Sequence, residues 1–88
     1  MEPEFYIVVR DNSLLNIGMQ KGDSIFCDRK PGPAHYVVGV WDDWAHICVE
    51  LQSGMLFNAA DNQKAPPEAY RAGRVLYVKR PLVNEAEA

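Results

Sequence analysis

Apolar residues fall in short blocks along this chain, each closed by a polar, Gly or Pro group, and most blocks are β-branched or aromatic. Phe5-Tyr6-Ile7-Val8-Val9 predicts a first strand that ends at Arg10-Asp11-Asn12-Ser13, with Ser13 opening a turn. Leu14, Leu15, Ile17 and Met19 are apolar, but Gly18 and Lys21-Gly22-Asp23 interrupt them, which predicts a short helical turn or a loop. Ser24-Ile25-Phe26-Cys27-Asp28 predicts a second strand. The two prolines of Lys30-Pro31-Gly32-Pro33 lack a donor and disfavour helix before them, so this stretch is a loop. A meander follows: strand at residues 36–41, turn at Asp42-Asp43, strand at 44–51, turn at Ser53-Gly54, strand at 55–58. Residues 61–67 form a polar loop, and Val75-Leu76-Tyr77-Val78 is a last strand before Pro81. The expectation is a mostly β, antiparallel fold with at most one short helix.

The 88 residues suffice for one domain, placed at residues 1–83, with 84–88 as a frayed acidic tail. A formal charge of −3 leaves no basic field, so nucleic acid and anionic membrane are not expected as partners. Two cysteines could form one disulfide at most, which points to a reducing, cytoplasmic setting. Apolar runs such as residues 36–41 fall far short of the roughly 20 residues of a membrane span, and Met1-Glu2-Pro3-Glu4 is acidic where a signal peptide is basic.

Strong chemical motifs are missing: there is no Gly-rich phosphate cradle and no His-Glu-x-x-His helix. His35, His46, Cys27 and Cys48 could supply four metal ligands by type, but they lack the tight spacing of such sites, and no metal or other cofactor is expected. Trp41-Asp42-Asp43-Trp44 sets two indoles around a turn. Either Trp41 packs into the core while the aspartates turn the chain, or the rings are anchors for a protein partner.

Asn12-Ser13-Leu14-Leu15-Asn16-Ile17-Gly18-Met19-Gln20-Lys21-Gly22-Asp23 carries a further signal. Ser13 precedes Asp23 by ten positions, with Ile17-Gly18-Met19 between them. This resembles the LexA-like family of self-cleaving domains, which includes UmuD and phage repressor C-terminal domains. Ser24-Ile25-Phe26-Cys27-Asp28, the strand running into Asp42-Asp43, Asp61-Asn62 through Pro66-Pro67, and the closing strand extend the resemblance over roughly residues 5–80. It implies a small, strongly bent antiparallel sheet of β-clip type.

In that family a serine nucleophile is served by a buried neutral lysine. Ser13 matches the nucleophile. The lysine position holds Cys48 when the chains are matched on the Asp42-Asp43 turn, or Glu50 when residues are counted without a two-residue deletion at the Pro31 loop. His46, two residues before Cys48, would share its strand face and makes a Ser-His arrangement conceivable. Met1 to Asn12 also holds no Ala-Gly-like cleavage pair and no helix-turn-helix.

The resemblance therefore implies a catalytically inactive domain that binds protein, either a second copy or a related regulatory protein, as phage or mobile-element regulators do. The alternatives are a serine hydrolase with an altered base and the oligomerisation domain of a repressor. The expected contact residues are Trp41, Trp44, Val75, Tyr77 and Val78, with homodimer contacts through the edge or a face of the closing strand. Leu76 and Val78 are expected on one face and Val75 and Tyr77 on the other, with Arg74, Lys79 and Arg80 as flanks or solubilising gatekeepers.

Overall fold

A computed structural model describes residues 2–81; the expected acidic tail lies outside the described residues. Six strands form one antiparallel sheet: β1 (Phe5–Val8), β2 (Ser24–Asp28), β3 (Val37–Trp41), β4 (Trp44–Glu50), β5 (Leu56–Asn58) and β6 (Tyr70–Lys79). Their order across the sheet is β1-β2-β6-β3-β4-β5. A single 3-10 turn at Leu15–Ile17 follows β1, closed by Gly18 at φ 86°. No helix among the described residues is long and apolar enough to cross a membrane.

The mostly β expectation holds, and β2 has the predicted bounds. The β3–β4 hairpin turns at Asp42 (φ 55°) and Asp43 (φ 64°), both in the left-handed region that a two-residue hairpin demands. The closing strand departs from expectation. It runs ten residues and stands between β2 and β3 in the strand order, but the two pairings overlap only at Arg74: residues 70–74 pair with β3 and residues 74–79 with β2. Its first half reads Tyr70-Arg71-Ala72-Gly73-Arg74, a polar stretch that its pairing with β3 makes a strand.

Two bulges fall in β6. Cys27 pairs with Val75 while Phe26 pairs with Tyr77, leaving Leu76 extra. Val38 pairs with Gly73 while Gly39 pairs with Arg71, leaving Ala72 extra. An extra residue bends a strand and raises its twist, so these two positions curl the sheet. The first bulge also reverses the expected facing: Val75 joins Cys27 on the core side, whereas Tyr77 lies beside Phe26 on the other. Gly73 is required at the second, since a Cβ there would collide with the Asp28 carbonyl and stand 3.0 Å from the Phe5 ring.

The concave side closes over Val9, Met19, Ile25, Cys27, Val38, Ile47 and Ala59, contributed from one end of the sheet to the other. A smaller cluster of Val37, Cys48 and Leu56, with Trp41 against it, occupies the opposite face near β3–β5. Both thiols are free and buried, and burial pushes each up to about 11.

The expected basic flanks of β6 are largely structural. Arg74 holds the fully buried Asp28 through Nε at 2.8 Å and a second nitrogen at 3.2 Å. Arg80 holds the equally buried Asp23 at 2.9 and 3.0 Å and also donates to the Gly18 carbonyl. These two-point contacts match the fork of a guanidinium to a carboxylate and keep both aspartates well below the usual carboxylate range. Lys79 instead lies with its Nζ 5.7 Å from the Phe26 ring and 5.8 Å from that of Tyr77.

Candidate functional site

Because the sheet curls, β1 approaches β4 although three strands separate them in the sheet. The Arg10 guanidinium lies 5.0 Å over the Trp44 ring and ties the two together at one end. Between them opens a cleft of about 890 Å3, within the size range of ligand sites, with consecutive residues of both strands along its walls and Ile25 in its floor.

Both walls are strand edges. β1 is the terminal strand. The Val9 N–H bonds inward to the Asp23 carbonyl and the Gly22 N–H to the Val9 carbonyl. Backbone groups alternate in direction along a strand, so those of Tyr6 and Val8 point outward. On the facing wall, β5 begins its pairing with β4 only at Cys48, which leaves Trp44 to His46 without a strand on that side. The opposite edge of the sheet is not open in this way: the Ala65 N–H bonds to the Leu56 carbonyl and the Asn58 N–H to the Gln63 carbonyl.

Part of the exposed apolar surface lies at the cleft. Tyr6 (61% exposed), Trp44 (55%) and Val8 (48%) all line it. Tyr6 is also the outer member of a row of rings across three strands: Tyr6 to Phe26 at 5.7 Å, and Phe26 to Tyr77 at 5.1 Å. Such neighbours are worth about 0.5–1.5 kcal/mol each beyond their buried area. The row ends at Tyr6 because, among the described residues, no strand lies beyond β1.

Ser13 and His46 both line this cleft, but no hydrogen bond joins them. The Ser13 N–H donates to Asp11 Oδ1 at 2.9 Å, and its hydroxyl bonds the same carboxylate, which holds Asp11 below its ordinary range. This is turn chemistry typical of Asp and Ser after a strand. His46 stacks flat on Trp41, with centroids 3.7 Å apart and planes 4° apart, and its Nε2 is buried without a partner. Gly39 makes room for this stack: a Cβ there would lie 3.1 Å from the Trp41 ring and 3.0 Å from Cys48 Sγ.

Neither residue at the matched lysine position reaches the cleft. Cys48 is buried in the cluster on the other face, and Glu50 is paired with Arg71 Nε at 3.0 Å. Among the described residues no group of three or more His, Cys, Asp or Glu could hold a metal ion.

Of the expected contact residues, Trp44 alone sits at the cleft, while Trp41 is half-buried against the second cluster. Val75 packs on the main core, and Tyr77 and Val78 are exposed on opposite faces of the half of β6 that pairs with β2 alone. Tyr6, Val8 and Arg10 were not among the expected site residues. The apolar block Phe5-Tyr6-Ile7-Val8-Val9 predicts the strand, but nothing in the sequence marks it as the open edge. No known family model matches this chain, and no curated protein or solved structure gives a match.

Proposed function

We propose that this protein is a catalytically inactive, LexA-like domain that binds protein by receiving an extended segment along the open edge of β1. The observation that carries the reading is the outward-facing backbone of Tyr6 and Val8 beside a large cleft, with apolar side chains exposed around it. An unpaired edge is satisfied best by another strand, and main-chain bonding of that kind is a recurrent mode of peptide recognition. The partner's strand comes from a second copy of the chain or from a regulatory protein, and a cytoplasmic setting belongs to the same proposal. The inactive part is supported by the engagement of the Ser13 hydroxyl with Asp11 and by the placement of Cys48 and Glu50 away from the cleft.

The test is a proline at Val8, whose N–H points outward and is not needed within the sheet. Val8→Pro should leave the far-ultraviolet circular dichroism unchanged and abolish either the dimer seen by sedimentation or the specific capture of a partner by the unmodified protein. Unchanged association with Val8→Pro overturns the edge reading.

One observation bears on the enzyme alternative: Ser13 and His46 both line the cleft, although the His46 ring is stacked on Trp41 against the second cluster. A fluorophosphonate probe decides it. Labelling that disappears in Ser13→Ala establishes a serine nucleophile, and no labelling leaves the binding reading in place.

A further inference from the structure

The open edge has a chemical direction as well as free backbone. Tyr6 presents the unstacked end of the Tyr77–Phe26–Tyr6 row. Four residues on, and so of the same strand parity, Arg10 carries its positive charge over the exposed Trp44 at the closed end of the cleft. Among the described residues Arg10 makes no ion pair with a carboxylate, in contrast to Arg71, Arg74 and Arg80.

A segment added antiparallel to β1 would set one side chain directly opposite Tyr6. The side chain four residues earlier in that segment would then lie opposite Arg10, on the same face. The backbone phase of Tyr6 and Val8 supplies the hydrogen bonds for this pairing. An aromatic residue at the first position would add a fourth ring to the row, and a carboxylate at the second would meet Arg10.

Resting on the edge-binding reading above, we infer that the preferred occupant of the β1 edge is an extended, antiparallel segment with an acidic residue followed four positions later by an aromatic one. Residues between them of alternating apolar character face the Ile25 floor and the Trp44 wall. Charge complementarity at Arg10 and continuation of the ring row at Tyr6 select the register. The backbone supplies the affinity that is independent of sequence.

The experiment uses the full chain and fluorescein-labelled, end-blocked heptapeptides, read by anisotropy. The reference is Thr-Glu-Val-Thr-Val-Tyr-Thr, in which the acid and the aromatic are four apart. Three comparison peptides replace its Tyr by Ala, its Glu by Lys, or its central Thr by Pro. The expected result is weakening of about five- to tenfold for each of the first two and loss of binding for the third. Arg10→Glu should reverse the preference, so that the Lys peptide binds better than the Glu peptide. Equal binding of the Tyr, Ala, Glu and Lys peptides with loss for the Pro peptide overturns this inference and leaves edge binding standing. Absence of binding by every peptide, the reference included, overturns both.

Discussion

The two ends of β6 and the cleft beside β1 treat charged and apolar groups in opposite ways. At the β6 clamps, Asp28 and Asp23 are wholly buried and each is held at two points by an arginine from elsewhere in the chain. At the cleft, Tyr6, Val8 and Trp44 lie in the open and the edge backbone faces outward. Breaking a buried pair strands a charge in a poorly solvating interior, whereas removing an exposed ring costs the fold little. The contrast separates the part of the molecule that maintains the structure from the part free to bind.

The largest expected effect comes from breaking a clamp. Asp28→Ala leaves the guanidinium of Arg74, whose side chain is only 18% exposed, without its carboxylate, and should lower the melting temperature by roughly 10 °C or more. Glu4→Gln removes the exposed 3.9 Å contact with Arg29 and should move it by no more than about 2 °C. Comparable shifts for the two variants, by calorimetry, would erase the distinction between clamp and surface.

The clamps also set the acid limb of stability. Asp23 and Asp28 have lowered pKa values in the fold, first because of their arginine hydrogen bonds, so the unfolded chain binds protons more readily. Their contribution is complete above the ordinary carboxylate range near pH 4 and is lost as pH falls through the lowered folded values. Denaturant midpoints taken from pH 7 down to pH 2 should fall steeply below about pH 4, and the fall should be shallower in Asp28→Asn.

The indoles sharpen the comparison within one hairpin. Trp41→Ala empties the space between His46 and the Val37–Cys48–Leu56 cluster, and should cost about 3 kcal/mol in urea unfolding. Trp44→Ala should cost under about 1 kcal/mol while weakening any ligand of the cleft severalfold. Equal costs would mean that Trp44 is structural as well.

The smallest effect is expected at Ser13. Ser13→Ala removes a hydroxyl from the Asp11 turn and should shift the melting temperature by no more than about 4 °C, with protein mass unchanged after prolonged incubation at pH 9 to 10 in both forms. Mass loss confined to the unmodified protein would identify a working nucleophile.

Local chemistry made most of the strands legible. The β-branched and aromatic blocks placed β1 to β4 within one or two residues, and Asp42-Asp43 marked its hairpin correctly because a two-residue turn needs residues that tolerate positive φ. The first half of β6 was not legible. Its Arg and Gly have no strand preference of their own, and they are extended because β3, distant in sequence, pairs with them.

The candidate site was only partly legible for the same reason. The sequence by itself determined which residues could turn, alternate and pack, because those properties depend on side chains within a few positions of one another. Which strand lies inside and which stands at the edge, that Leu76 is an extra residue turning Val75 inward, and that Asp23 meets Arg80 across fifty-seven positions were decided only by the tertiary structure. Pairing between distant segments is set by the whole sheet closing over one core. The open edge at Tyr6 exists only once every other strand has found its neighbour.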